Sequence, residues 1–194
     1  AVVWTRSYEG SITSSTVSNN TFTNCCGFNA LSSGSLRAGS IVFDLDSCED
    51  NTMTGVTISG NRLTDNNGLG ISLNGYDGAG DNSYVTATVS NNIMTNSTQA
   101  LSVQRDTKSV VITGNTITGT YSAGLWVEAG QAHTGLVIKN NTFTGVNGGL
   151  KDTTYLSTGR AVIHIEEGTT AVVQYNSFSD NLATYSIKEA TAPT

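Results

Sequence analysis

The chain is poor in charge, proline, cysteine and aromatic side chains, and each shortage excludes a class of protein. Charged residues make up only 12% of the 194, and the formal net charge is −6. No basic cluster is present to neutralise phosphates, so no nucleic-acid partner is expected. No run of about 18 apolar residues occurs, so no membrane span is expected either. The sequence shows no sustained 3.6-residue period, and helices are not needed to close its core. The three cysteines, Cys25, Cys26 and Cys48, have neither the C-x-x-C spacing nor the nearby His of a tetrahedral site. No metal centre is expected from them. One disulfide, from Cys48 to Cys25 or to Cys26, would leave an odd thiol. A signal peptide is not apparent, and the chain opens at Ala1 without Met, as a processed protein or an excised piece would.

What is plentiful is Gly, with 21 residues, together with Thr, Ser and Asn. That mixture favours strands and tight turns. The length suits one domain, 1–194, with a full core. Asn19, Asn96 and Asn140 begin N-x-S/T triplets, which matter only in a secretory or surface setting.

One phrase recurs six times: TVSNNTFTN (16–24), VTISGNRLTDN (56–66), TVSNNIMTN (88–96), VVITGNTITG (110–119), LVIKNNTFTG (136–145) and VVQYNSFSDN (172–181). Its second Asn falls at Asn20, Asn61, Asn92, Asn115, Asn141 and Asn176, in steps of 41, 31, 23, 26 and 35 residues. The shortest step is about one coil of a parallel β-solenoid, and the excess in the others is loop. Each phrase places a short alternating strand, an Asn or Gly-Asn corner and a second short strand in succession. Asn suits the corner because it tolerates left-handed φ and hydrogen-bonds locally. Stacked in register, the six Asn form a ladder, and Phe22, Leu63, Met94, Ile117, Phe143 and Phe178 form one inward column.

About ten residues after most corners comes a third strand: 42–46, 70–74, 100–104, 124–128, 162–166 and 184–188. Alternation predicts inward pairs from Phe43/Leu45 to Tyr185/Ile187. It predicts two outward columns: Asp44, Ser72, Ser102, Trp126, His164, Ser186, and beside it Asp46, Asn74, Gln104, Glu128, Glu166, Lys188. Long insertions fall only beside this strand, at 24–40, 47–54, 75–84 and 145–160, whereas the Asn corner never lengthens. Loops flanking one polar sheet make the walls of a cleft.

The repeats resemble those of the right-handed parallel β-helix of the pectate-lyase-like superfamily, over roughly residues 14 to 190. The resemblance implies an all-β solenoid of about six to seven coils in which the third strand lines a polysaccharide groove. It also implies an extracellular, cell-surface or virion-surface location. The short repeats are similar to those of phage tailspikes and surface adhesins. The G-H-G, N-T-D and R-I-K signatures of polygalacturonases and the D-P-H motif of mannuronan epimerases are absent.

Glu128 and Glu166, in one column on successive coils, should stand about 4.8 Å apart. That is near the separation used by retaining glycoside hydrolases, and closely spaced like charges split an acid from a base. They are the candidate catalytic pair of a glycoside hydrolase. A lyase would need a basic residue, and only Arg105, with Asp106 and Lys108, is near. Trp126 is expected to stack on a sugar ring, His164 to donate to a hydroxyl or carboxylate, and Asn74, Gln104, Asp44 and Asp46 to extend the polar line. No cofactor is expected, apart from a weak Ca²⁺ role for Asp44 and Asp46. Two other readings stand beside this one. The strand after each corner presents outward Thr pairs, similar to those of ice-binding solenoids but interrupted by Arg62 and Ile93. The strand-like ends, without an evident polar cap, suit a structural or adhesive homo-oligomer stacking end to end.

Overall fold

The computed structural model describes residues 3–6, 10–25, 39–45, 50–66, 68–76, 82–128, 133–147, 161–166 and 168–189. Apolar residues alternate along every interior strand, so each strand has one side to bury, and a parallel stack of coils buries all of them around one axis. The described residues contain strands and turns but no helix, in three parallel sheets of 7, 6 and 7 strands.

The long-strand sheet runs through Val3–Arg6, Gly39–Asp44, Leu69–Asn74, Gln99–Gln104, Leu125–Val127, Ala161–Ile165 and Tyr185–Glu189 in spatial as well as chain order. A second sheet precedes the Asn corner and ends at Ala171–Gln174. A third follows the corner, from Thr21–Thr23 to Ser177–Ser179. One circuit of the three is a coil; there are six, and Tyr185–Glu189 adds a seventh strand to the long sheet. The predicted inward column is realised strand by strand: Phe22, Leu63, Met94, Ile117, Phe143 and Phe178 are successive register partners.

The ladder is complete. In each step, the backbone N–H and the side-chain amide of one Asn donate to Oδ1 of the next, from Asn20 to Asn61, Asn92, Asn115, Asn141 and Asn176, at 2.9–3.1 Å. Each amide after the first also donates back to a carbonyl of the preceding coil, those of Val17, Ile58, Val89, Ile112 and Ile138. The left-handed residue is the first of the two corner residues, the one before the ladder Asn. Asn19, Gly60, Asn91, Gly114, Asn140 and Tyr175 have φ of 54–66°. The work is thus divided between two positions: the first turns the chain, and the second, freed from that geometry, bonds its neighbours.

A second corner closes the following strand, with positive φ at Asn24, Asp65, Asn96, Gly119, Gly145 and Asp180. Its own ladder is partial. Asn66 Oδ1 accepts from Cys25 N–H at 2.9 Å, and Asn181 Oδ1 from Val146 N–H at 2.8 Å. Cys26 and Cys48 lie outside the described residues, and with them the expected disulfide.

Two strands of the long sheet are shifted by two residues from their predicted alignment. Ile41 and Phe43 pair with Ile71 and Leu73, placing Asp44 beside Asn74 instead of Ser72. At the other end Ile187 pairs with Ile163, placing Lys188 beside His164 instead of Glu166, and Ser186 out of the expected column. A two-residue slip preserves the side-chain alternation, so the hydrophobic pattern cannot detect it.

Candidate functional site

The long-strand sheet gathers most of the candidate residues. One outward row runs Val42, Ser72, Ser102, Trp126, His164, Lys188; the other runs Asp44, Asn74, Gln104 and continues into Glu128 and Glu166. The last two lie just past their strands, yet they keep the ladder: Glu128 N–H donates to Val103 O and Glu166 N–H to Val127 O, each at 2.9 Å. Because Val127 pairs with Ile165, the two glutamates are neighbours across the coil step. Asp46 lies outside the described residues.

The outward rows are shielded, which corrects the open groove expected from sequence. Asp44 and Ser102 are 0% exposed, His164 5% and Trp126 7%, whereas Glu128, Glu166 and Lys188 are half-buried. The accessible part of the face is therefore its margin at Glu128, Glu166 and Lys188, where Glu128 Oε2 is nonetheless buried. Beneath them Trp126 donates its indole N–H to Glu166 Oε1 at 2.8 Å, a diagonal contact to the next coil. This fixes the Glu166 carboxylate, and it turns Trp126 toward a support role, since a 7% exposed indole presents no open ring face for stacking. Burial lowers the pKa of His164, outweighing the opposing pull of the Glu166 carboxylate, and the Lys188 charge lowers it by a lesser amount. Its imidazole is neutral near pH 7.

Deeper in the row, Asn74 Nδ2 donates to Asp44 Oδ1 at 2.7 Å and Gln104 Nε2 to Ser102 Oγ at 2.6 Å. The Asp44–Asn74 contact exists because of the two-residue shift. Among the described residues no group of three or more His, Cys, Asp or Glu is placed to hold a metal ion. An open groove of about 210 Å³ on the second sheet, lined by Val56, Thr57, Thr86, Thr88 and Ser109 among others, carries no ionisable group.

One residue that sequence reasoning passed over is His133. It is 4% exposed, its Nε2 is 2.8 Å from the Glu128 carbonyl, and its Nδ1 is 2.8 Å from Thr107 Oγ1. A carbonyl only accepts, so Nε2 carries the proton, and in the neutral ring Nδ1 accepts from Thr107. Burial lowers its pKa, outweighing the Glu128 carbonyl and Asp106. The ring thus clasps the backbone at the exit of the Glu128 strand to the coil before it. The exit one coil earlier still is equally tight: a Cβ at Gly75 would collide with the Asp106 carbonyl. Only its position five residues after Glu128, in a chain with two His, could have signalled this.

No curated protein and no solved structure matches the chain. The family model for the right handed beta helix region matches residues 13–190, nearly the whole of the stacked coils just described. The chain belongs to the right-handed β-helix family.

Proposed function

We propose that this β-helix binds a polysaccharide along the margin of the long-strand sheet, with Glu128 and Glu166 as the contact pair. The observation that carries the reading is the anchoring of that pair. Two half-buried carboxylates stand on neighbouring coils, one held by the Trp126 indole and the other by a backbone clasped by His133. Partly exposed polar groups held from below are what a binding site requires, because little ordering remains to be done when the ligand arrives. Carboxylates on adjacent strands, about 4.8 Å apart along the backbone, are also spaced for retaining glycoside hydrolysis. Cleavage is the stronger form of the same proposal.

Glycan arrays and a reducing-end assay separate the two forms. Binding lost in Glu166→Gln and weakened in Trp126→Phe, which keeps the ring but not the N–H donor, supports the site. Release of reducing ends that disappears in both Glu128→Gln and Glu166→Gln adds catalysis. A folded wild-type protein that retains no glycan removes the proposal.

The third sheet favours a second reading, adsorption to ice. Its outer row, Thr23, Thr64, Thr95, Thr118, Thr144 and Ser179, is continuous and in register, and Arg62 and Ile93 interrupt only the inner row. Thermal hysteresis abolished by Thr95→Lys with Thr118→Lys would establish it.

A further inference from the structure

The exposed apolar side chains of the molecule are concentrated at one end. Of the seven large ones among the described residues, five, Val172, Tyr175, Leu182, Tyr185 and Ile187, lie in the last turn of the solenoid, where Val173 and Phe178 are also only partly covered. The first coil differs, with Val17 8% and Phe22 6% exposed. The backbone edge of the last turn is open as well. Tyr175, Asn176 and Asp180 hold the places from which, one coil earlier, Asn140, Asn141 and Gly145 donate their N–H groups to the last turn. These three N–H groups have no acceptor among the described residues. The strands Ala171–Gln174 and Ser177–Ser179 carry neither charge nor proline, the usual guards of a free edge.

The stepped form of this edge selects its occupant. Around the last turn, from Ala171–Gln174 through Ser177–Ser179 to Tyr185–Glu189, the edge climbs by one strand spacing of about 4.8 Å. A second copy inverted about a two-fold axis through Ser177–Ser179 descends by the same step. Ser177–Ser179 then meets its own counterpart antiparallel, and Ala171–Gln174 of each copy meets Tyr185–Glu189 of the other. Phe178 faces Phe178, and Lys188 and Glu189 come beside an uncharged strand, not beside their own counterparts. The corner at Tyr175 is brought against the corner at Leu182. Head-to-tail stacking has no such fit. Ser11–Thr13 and Thr16–Ser18 share one level, since both pair with Thr52–Ser59, so the second and third sheets have six levels and the long sheet seven. Val3–Arg6 of a following copy would claim the level already filled by Tyr185–Glu189.

We propose that the last turn is a homodimer interface, closed by a two-fold axis, whose partner is a second copy of this chain. An isologous contact of this kind ends at two subunits and does not grow into a fibre. It does not rest on the polysaccharide reading.

Sedimentation velocity on the intact chain, from micromolar to millimolar concentration, should show a monomer passing to a dimer and nothing larger. In the dimer, hydrogen exchange at the Tyr175, Asn176 and Asp180 amides should slow at least about tenfold relative to the dilute protein. Leu182→Glu and Tyr175→Lys, both at exposed positions, should each weaken dimerisation at least about tenfold. The double variant should regain most of that loss, because the two corners face each other across the axis. The exchange measurement on the wild type stands on its own should a variant misfold. A monomer at every concentration, assembly beyond the dimer, or a dimer whose last-turn amides exchange as fast as in the monomer each overturns the proposal.

Discussion

Phe143 and Phe178 occupy the same row on adjacent coils, in phrases of the same pattern, with rings stacked at 5.4 Å and 8°. Phe143 is wholly buried, but Phe178 is not. The difference extends around the whole circuit. In the middle coils the inward residues are at or near 0% exposure, while in the last coil Ala171, Val173 and Phe178 are only half-buried, and on the closing strand Tyr185 is 50% exposed and Ile187 43%. A coil of this solenoid does not bury itself. Its core is completed by the coil on either side, so one phrase gains different stability in different places.

The largest effects should come from breaking the middle where it differs most from the end. Phe143→Ala should cost about 3–5 kcal/mol, the usual range for removing a large buried side chain, and Phe178→Ala less, about 2 kcal/mol, because its ring is only partly buried. Chemical denaturation of the two variants measures the contrast, and equal losses would show that the last coil is covered in solution. The ladder should repeat the comparison on a smaller scale. Asn115→Ala leaves the backbone N–H and one amide proton of Asn92 without an acceptor and should cost about 3 kcal/mol, against about 1 kcal/mol for Asn20→Ala at the end of the row.

A smaller contrast lies in acid. Burial lowers the pKa of both His133 and His164, so the unfolded chain takes up protons that the folded chain refuses. The stability they contribute is present above the ordinary value of 6.5 and is lost as pH falls below it toward the folded values. Thermal melts between neutral pH and about pH 5 should show this slope, above the range where carboxylates dominate. His133→Gln, which keeps a donor but does not titrate, should flatten it. The smallest effect should be a gain. Tyr175 is 80% exposed and turns the last corner at φ 56°, where the other five corners use Asn or Gly. Tyr175→Gly should stabilise the last coil by about 0.5–1 kcal/mol, narrowing its distance from the middle.

How much could be read without coordinates varies with how local the determining interaction is. The Asn corner was legible because a ladder residue, its left-handed predecessor and the flanking alternation all lie within a few positions. Asp44 and Lys188 were misplaced because their register depends on where the chain re-enters the sheet after a long connection. Trp126, His164 and the glutamates were assigned to the correct outward side, since alternation decides sides. Their shielding, the Trp126–Glu166 bond and the His133 clasp were not legible, because each depends on atoms supplied by another coil.

By itself, then, the sequence determined the architecture: a repeated phrase that must turn at each Asn or Gly, and that alternates between its turns, has only a stacked parallel coil in which to bury its apolar side. Tertiary structure alone decided which outward residues meet and which remain in reach of solvent. The reason is that neighbours across the stack are separated by 23 to 41 residues of chain but one strand spacing, and only the assembled register converts the first distance into the second.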